Sequence, residues 1–209
     1  MHVIDSVLKT YKYRLYPKSS QKTALNKQFE LCRWVYNESL ALKKKLWESD
    51  KVSLSLYDLN KKLTQWKAEK PELKGVHSQV LQKVQERIDF AFKAFFRRCK
   101  SGKRPGYPRF KSPNSLKSLC FKQTGFKFNE ANKTLTLSKV GDVRVNYHSP
   151  IKGQIKTCSI IRHVTGKFYV CFLVEGKTKG LLKTGKIAGC DLGIKTLVTL
   201  SDTTVANLK

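Results

Sequence analysis

The spacing of apolar residues changes once along this chain, and the change separates a helix-forming part from a strand-forming part. Between residues 18 and 100, apolar side chains recur at three- and four-residue steps, which is the period of amphipathic helices packed on a core. Ser19 or Ser20 can cap a first helix, and Ser55-Leu-Tyr-Asp58 has the spacing of a capping box for a second. A third helix is predicted over residues 78–99. Three successive amphipathic helices predict a small helical domain.

Outside this helical part, side chains alternate between apolar and polar, which is the period of half-buried strands. One face of the amino-terminal segment 7–16 carries Tyr11, Tyr13 and Leu15, and the other carries Lys12, Arg14 and Tyr16. Five further strands are predicted at residues 121–128, 134–137, 143–147, 155–162 and 168–174. Gly166 favours a hairpin between the last two. These patterns predict an α+β fold, in which an antiparallel β-barrel of about six strands carries the helical domain as an insertion.

The charge of the chain indicates a polyanionic partner. It has 42 lysine and arginine residues against 15 aspartate and glutamate residues, a formal net charge of +27. Charge of this size destabilises the compact state by self-repulsion, so we expect nucleic acid to bind and neutralise it. A membrane surface is the competing partner. Because the sequence shows neither an apolar run of eighteen residues nor a signal-peptide pattern, we expect no membrane contact and a cytoplasmic protein.

Cysteine and histidine usage bears on metal binding. The six cysteines are scattered without a Cys-x-x-Cys pair, and the four histidines are equally dispersed. This arrangement favours reduced, buried thiols, and we expect no zinc site within residues 1–209.

A basic segment without regular structure is predicted between the helices and the later strands. Residues 97–117 hold eight lysine and arginine residues and no acidic residue, and their prolines and glycines disfavour helix and strand. The segment could be a flexible linker, but its cations can neutralise phosphates and its rings can stack on bases, so we favour nucleic-acid contact. Its candidate contact residues are Arg97, Arg98, Lys103, Arg104, Tyr107, Arg109, Phe110 and Lys111. The predicted nucleic-acid-binding set also includes Lys12, Arg14, Tyr16 and Arg33.

Asp191 stands at the end of a short apolar run near the carboxyl end of the sequence. The runs 187–190 and 197–200 predict two short strands of a buried sheet, joined by a turn at Gly193. A carboxylate that closes a buried strand is exposed at the sheet edge, where it can hold a hard cation such as Mg²⁺. Aspartate is also common in turns, so the segment by itself leaves a purely structural role open.

Several short motifs occur together and in order along the chain. They are Tyr11-Lys-Tyr-Arg-Leu-Tyr-Pro17 with Gln21, Arg33-Trp-Val-Tyr-Asn37, Gly102-Lys-Arg-Pro-Gly-Tyr-Pro-Arg-Phe-Lys111, Ile155-Lys-Thr-Cys-Ser-Ile160, Lys167-Phe-Tyr-Val170 and Gly189-Cys-Asp-Leu-Gly193. In this combination the chain resembles the OrfB/TnpB family of insertion-sequence proteins, RNA-guided DNA nucleases related to type V CRISPR effectors. The last motif is similar to the first motif of the RuvC branch of RNase H-like nucleases.

The resemblance implies a domain order and two nucleic-acid partners. Residues 1–17 and 118–178 would form a wedge-type β-barrel, and residues 18–100 a helical recognition domain. Residues 101–117 would form a basic nucleic-acid-binding loop, and residues 179–209 a linker and the start of an RuvC-like nuclease domain. The implied partners are a guide RNA and a target DNA, with base pairing reading most of the sequence. The resemblance also gives Asp191 the role of a catalytic Mg²⁺ ligand.

The chain departs from the family where further catalytic residues should follow. Members continue to a glutamate, a further aspartate and a four-cysteine zinc ribbon, whereas 24 residues run from Lys186 to Lys209 here. Two-metal phosphoryl transfer needs several carboxylates, and Asp202 lies in a Ser-Asp pair typical of a turn. We therefore expect Asp191 to be a remnant that is inactive by itself, with a second chain or a continuation needed for DNA cleavage. The alternatives are a non-catalytic RNA- or DNA-binding regulator and a decayed transposon product.

Overall fold

A computed structural model describes residues 3–122, 124–179, 185, 188–194, 196–201 and 205–206. The chain forms two compact units, Ser6–Lys177 and a smaller one made of Met1–Asp5 with Thr178–Lys209. The larger unit holds the helices and a seven-stranded sheet, and the smaller one holds three short strands.

The chain begins with a strand, continues with three helices and then returns to strands. The helices are α1 (Ser19–Asp50), α2 (Leu56–Glu69) and α3 (Ser78–Lys100), with a 3₁₀ turn at Pro71–Gly75 before α3. The strands of the seven-stranded sheet are β1 (Val3–Tyr16), β2 (Ser118–Phe121), β3 (Phe126–Asn129), β4 (Thr134–Leu137), β5 (Gly141–Asn146), β6 (Gln154–Arg162) and β7 (Phe168–Lys179). The three predicted helices and their place after the first strand are confirmed.

Local side chains decide where the helices start. The predicted cap of α1 at Ser19 or Ser20 is wrong, because Lys18 is the N-cap residue and both serines lie inside the helix. The Gln21 side chain reaches back instead, and its Oε1 accepts a hydrogen bond from the Lys18 N–H at 2.9 Å. The capping box of α2 is confirmed: the Asp58 N–H donates to Ser55 Oγ at 3.2 Å, and the Ser55 N–H donates to Asp58 Oδ2 at 2.9 Å.

The three helices pack through the apolar stripes that their spacing predicts. Leu25, Phe29 and Cys32 of α1 and Leu81 and Ile88 of α3 are fully buried. A buried polar contact joins the same two helices, because Ser39 Oγ donates to Gln85 Oε1 at 2.8 Å. Within the described part of the chain, no helix combines the length and the apolarity that crossing a lipid bilayer requires.

The seven strands are arranged in the order β2-β6-β7-β1-β5-β4-β3. The two edge strands, β2 and β3, follow each other in the sequence. A flat sheet would separate them by about 29 Å at about 4.8 Å per strand step. Phe121 and Phe126 are only five Cα steps apart, however, which span at most about 19 Å. The sheet therefore curls into a nearly closed, barrel-like form, and every pairing with a described register is antiparallel.

One predicted strand is wrong, because residues 121–128 do not form a single element. β2 ends at Phe121 and β3 begins at Phe126, and the Gly125 N–H closes a turn on the Lys122 carbonyl at 3.0 Å. This turn sends the chain from one edge of the sheet to the other. The other predicted strands are confirmed with small changes of length, as is the hairpin at Gly166, where φ is +73°.

The inside of the barrel is apolar, with a buried tyrosine among its side chains. Tyr13 and Leu15 of β1 are each 1% exposed, and they lie with Val143, Val145 and Phe172 in the same core. The Tyr13 hydroxyl donates to the Ser149 carbonyl at 2.6 Å. Burial, with a smaller contribution from Tyr147, raises the pKa of Tyr13 to about 12, so the phenol remains a donor.

The smaller unit contains β8 (Cys190–Asp191), β9 (Val198–Leu200) and β10 (Val205–Ala206), arranged as β10-β9-β8 with antiparallel pairing. Two strands were predicted here, and both are shorter than expected; Ile187 lies outside the described residues. The expected burial is wrong for Cys190, which is exposed, and for Leu197, which is 40% exposed, whereas Asp191 is exposed as expected. Strands of two or three residues present too little area to cover their own side chains.

Candidate nucleic-acid interface

The outward face of β1 carries cations and a ring in alternation. Lys12 and Tyr16 are exposed and Arg14 is half-buried, whereas Tyr13 and Leu15 between them point into the barrel. This is the alternation expected from the sequence. The three outward residues of β1 therefore lie on one surface.

Neighbouring strands add a second ring and a further cation to this surface. Tyr16 lies directly opposite Arg144 of β5 in the strand register, and the Arg144 guanidinium is 6.0 Å from the Tyr16 ring. On the other side, the Tyr169 ring has Lys12 Nζ at 4.7 Å and the Arg14 guanidinium at 5.4 Å. We call Lys12, Arg14, Tyr16, Arg144 and Tyr169 the outer-face patch.

Sequence reasoning missed two members of the outer-face patch, Arg144 and Tyr169. The signal was present, because Val143 and Val145 alternate with Arg144, and Phe168 and Val170 alternate with Tyr169. These valines and the phenylalanine are buried, so period-two alternation points Arg144 and Tyr169 outward.

A cationic notch lies next to the patch and was also missed. It has a volume of about 430 Å³ and is lined by residues that include Lys22 of α1, Lys117, Arg162 of β6 and His163. The rings of His163 and Tyr169 are 6.2 Å apart, so the cationic notch adjoins the outer-face patch. Together they form one positive surface with aromatic rings, which suits a phosphate backbone with bases beside it.

Glu30 links the notch to the basic loop. Its carboxylate accepts a hydrogen bond from Arg33 Nε at 2.6 Å and lies 3.6 Å from Arg162. Burial would raise the pKa of Glu30, but the hydrogen bond from Arg33 and the charges of Arg33 and Arg162 outweigh it and lower that pKa. Glu30 therefore stays ionised and holds both guanidinium groups.

The basic loop, residues 101–117, lacks helix and strand as predicted, but it is not a free linker. Asn37 of α1 clamps it at Lys111: the Lys111 N–H donates to Asn37 Oδ1 at 2.8 Å, and Asn37 Nδ2 donates to the Lys111 carbonyl at 3.0 Å. Arg33 donates to the same carbonyl at 3.3 Å. Two motifs that are far apart in the sequence, 33–37 and 102–111, thereby meet.

Several predicted contact residues are already used inside the protein. Arg33 is bound to Glu30 and to the loop carbonyl, and Lys111 Nζ lies 5.5 Å from the Tyr36 ring. Tyr107 packs edge-on against Phe92 and Phe95 of α3, with ring centroids 5.6 and 5.4 Å apart. Of the predicted contact residues in the loop and at the end of α3, those that are exposed and make none of these contacts are Arg97, Arg98, Lys103, Arg104, Arg109 and Phe110.

Comparisons with known proteins give this surface a context. A family profile described as a helix-turn-helix domain of the OrfB, IS605 type matches residues 1–51. A Streptomyces pristinaespiralis protein named as a candidate RNA-guided DNA endonuclease is 31% identical over 204 residues, which cover 95% of this chain and 49% of that protein. InsQ of Escherichia coli strain K12, named in the same way, is 28% identical over 201 residues, covering 95% and 48%. Over nearly its whole length the chain is therefore similar to proteins of the OrfB/TnpB type.

The chain spans about half the length of the curated relatives it matches. A solved structure of Cas12f1 with guide RNA and target DNA covers 97% of this chain and 55% of its own, at 12% identity and a TM-score of 0.49. At this TM-score and identity the similarity is too low to assign a shared function. The name of the matching profile does not describe its geometry here, because the described residues 3–51 form one strand and one uninterrupted helix rather than a helix-turn-helix.

Asp191, the predicted catalytic residue, lies in the smaller unit. It is the second residue of β8, pairs with Thr199 of β9 and is exposed. The predicted turn after it is confirmed: the Gly193 N–H donates to the Thr196 carbonyl at 3.1 Å. A Cβ at position 193 would stand 2.9 Å from that carbonyl oxygen, so the turn requires glycine.

The described residues do not fit a Mg²⁺ site. Asp191 presents one exposed carboxylate, and among the residues that the structure describes no three histidine, cysteine, aspartate or glutamate side chains converge on a metal position. Mg²⁺ keeps most of its waters unless several oxygens meet around it. Asp202, the other carboxylate of the segment, lies outside the described residues.

Proposed function

We propose that this chain is the nucleic-acid-binding portion of a transposon-encoded RNA-guided DNA endonuclease, with a guide RNA and a target DNA as its partners. The observation that carries the proposal is the continuous positive surface formed by the outer-face patch and the cationic notch. Among the ion pairs of the described residues, none involves Lys12, Arg14 or Arg144, so these cations keep their charge for a ligand. The relatives named as RNA-guided DNA endonucleases support the choice of partners.

The parts of the chain then have distinct roles. The barrel holds the RNA backbone on its outer-face patch, as the wedge domain of the family would. The helical insertion, residues 18–100, acts as the recognition domain, and the exposed cations of the basic loop contact phosphates. Phosphate contacts of this kind fix position, while base pairing between guide and target supplies sequence.

The smaller unit supplies the first carboxylate of an RuvC-like site in this proposal. Asp191 would hold Mg²⁺ together with carboxylates that the described residues do not contain, from elsewhere in a longer protein or from a second chain. A non-catalytic RNA- or DNA-binding protein is the alternative function. The observation that favours it is the exposure of Asp191 on a strand of two residues, which leaves the carboxylate without converging ligands.

The test is a paired substitution in the outer-face patch. Arg14→Gln with Arg144→Gln removes two charges, and we expect binding to a structured RNA, measured by fluorescence anisotropy at moderate salt, to weaken at least tenfold. The control is Lys51→Gln with Lys74→Gln, which removes the same charge from exposed positions beyond the patch. Equal affinities for the two double variants would overturn the assignment of the patch.

A further inference from the structure

An open groove between the helices exposes an unusual amount of aromatic surface. It lies between the end of α1, the connection from α1 to α2, and the second half of α3, and its volume is about 540 Å³. We call the residues Trp47, Val52, Phe92, Phe95, Phe96 and Tyr107 the aromatic groove. Trp47 is 54% exposed, Phe96 is 52% exposed and Tyr107 is 44% exposed. A concave groove of this volume with a mainly aromatic lining is typical of a ligand-binding site.

The rings of the groove hold one another in fixed orientations. Phe95 lies 5.2 Å from Phe96, and Tyr107 is edge-on to Phe92 at an interplanar angle of 89°. Tyr107 is supplied by the basic loop, which Asn37 clamps to α1. Because the walls are oriented before a ligand arrives, a flat apolar group can insert at little cost in side-chain entropy.

The charge beside the aromatic groove selects the kind of flat group. Lys93, Arg97 and Lys100 line an adjoining depression of about 440 Å³, which shares Lys93 and Phe96 with the groove. Asp89 is the carboxylate in the groove lining, and Lys93 pairs with it at 2.8 Å. Arg97 and Lys100 take part in none of the ion pairs of the described residues. The depression beside the groove is therefore positive, which favours a polyanion carrying a flat apolar group over an apolar protein segment.

We propose that the aromatic groove takes an unpaired base of a bound nucleic-acid strand, with the phosphates of that strand on Arg97 and Lys100. Bases stack on aromatic side chains whatever their sequence, so the site favours single-stranded over fully paired segments. A base inside a duplex is stacked between its neighbours and cannot enter. This inference rests on the proposed nucleic-acid-binding function and adds a second site to it.

Trp47 reports on the groove directly. The chain has three tryptophans. The other two, Trp34 and Trp66, pack against each other with ring centroids 5.8 Å apart, and neither lines the groove. The probes are a twelve-nucleotide deoxyadenosine strand and an abasic strand of the same length and charge. We expect the base-bearing strand to quench tryptophan fluorescence in the wild-type chain but not in Trp47→Phe, and the abasic strand to bind without quenching.

Substitutions at exposed phenylalanines of α3 test the same site by affinity. Phe96→Ala should weaken the base-bearing strand on the order of tenfold and leave the abasic strand unchanged, because stacking is lost and no charge is removed. Phe90→Ala is the matched control, since Phe90 is 60% exposed on the same helix and does not line the groove. Both phenylalanines are exposed enough that neither substitution opens the core.

The outcomes separate the site from the proposed function. Equal quenching by the two strands, or a Phe96→Ala effect that is absent or equal for both, would overturn base insertion. Self-association that Phe96→Ala abolishes, without any dependence on bases, would assign the groove to a second copy of the chain and also overturn it. Failure of the wild-type chain to bind either strand would instead remove the nucleic-acid-binding function on which the inference rests.

Discussion

At the scale of single residues, rings hold the cations of the outer-face patch. Lys12, Arg14 and Arg144 carry like charges on neighbouring strands, which costs free energy when no ligand is bound. Tyr169 faces Lys12 and Arg14, and Tyr16 faces Arg14 and Arg144. Each such contact is worth about 0.5–1 kcal/mol at an exposed site, and it also limits the side-chain motion that binding would otherwise have to arrest.

Removing one ring should therefore weaken RNA binding without changing the salt dependence of the affinity. Tyr169→Ala releases Lys12 and Arg14, and we expect RNA affinity to fall by about 5- to 30-fold, from two contacts of about 0.5–1 kcal/mol each. The slope of log affinity against log salt should stay the same, because no cation is lost. Tyr57→Ala, at a 77% exposed tyrosine of α2, is the control for removing a ring. A lowered slope, or an unchanged affinity, would show that Tyr169 does not organise the patch.

Tyr13 gives the barrel core a measurable dependence on pH. Its pKa is raised to about 12, mainly by burial, whereas an unfolded tyrosine titrates near 10. Below about pH 10 both states hold the proton and this contribution is fully present. Between about pH 10 and 12 only the unfolded state releases it, so the free energy of unfolding should fall by about 1.4 kcal/mol per pH unit.

The comparison with Tyr13→Phe isolates this titration from that of the lysines. The variant loses the hydrogen bond to the Ser149 carbonyl and cannot ionise. Urea unfolding from pH 9 to 12 should show the wild-type advantage over Tyr13→Phe shrinking above pH 10. An advantage that stays constant across this range would mean that the phenol ionises equally easily in both states.

At the scale of elements, the basic loop is a docked segment of the helical domain. Its backbone is fixed at Lys111 by Asn37 and Arg33, and its Tyr107 ring is fixed on α3. The exposed Lys103, Arg104 and Arg109 therefore lie on a segment that is fixed at two points. The polar anchor is the Asn37–Lys111 contact, and the aromatic anchor is Tyr107 on α3. An anchored cation loses less entropy on binding a phosphate than one on a free linker.

Breaking the polar anchor should loosen the loop. Asn37→Ala removes both hydrogen bonds to Lys111, and we expect a loss of about 1–3 kcal/mol in the free energy of unfolding. Trypsin should cut after Lys103 faster than in the wild-type chain. Ser49→Ala is the control, since Ser49 is exposed on the same helix and its hydroxyl bonds only to Lys45 and Asp50 nearby. Equal cleavage rates in the two variants would mean that Asn37 does not hold the loop.

The elements that could be predicted from the sequence are those set by local pattern. Alternation placed Lys12, Arg14 and Tyr16 on one face of β1, and the Ser55–Asp58 spacing gave the start of α2. The break between β2 and β3 could not be predicted, because it follows from which strand each half pairs with across the sheet. The intramolecular roles of Arg33, Lys111 and Tyr107 were missed for the same reason: their partners lie on other elements.

The exposed Cys190 marks another limit of local pattern. Its apolar neighbours predicted a buried strand, but burial depends on the strands and layers that cover a segment, and β8 has only two residues. The run of apolar residues therefore predicted the strand correctly, but it predicted the burial of that strand wrongly.

At the scale of the whole molecule, two compact units divide the proposed roles. The larger carries the positive surface, and the smaller carries Asp191. Because the described residues offer Asp191 as a single carboxylate for Mg²⁺, we expect the 209-residue chain to show no Mg²⁺-dependent cleavage of DNA, with or without RNA. Asp191→Ala should leave RNA affinity nearly unchanged. In a longer form of the protein that does cleave DNA, Asp191→Ala should abolish cleavage. Removing the metal from the wild-type form with EDTA is the control, and it should abolish cleavage as well.

A gel assay on supercoiled and linear DNA is the measurement for this prediction. Specific cutting by the 209-residue chain alone would mean that its own residues complete the metal site. Cutting by the longer form that survives Asp191→Ala would mean that another carboxylate holds the ion.

The salt dependence of RNA and DNA binding by the whole chain tests the central claim most directly. A net charge of +27 that serves nucleic-acid binding must release counterions when phosphates replace them. We expect log affinity for a duplex to fall with log salt at a slope of about −5 or steeper, because each neutralised phosphate contributes about −0.9. A slope shallower than about −2, or no measurable binding at low salt, would contradict the assignment of this surface to nucleic acid.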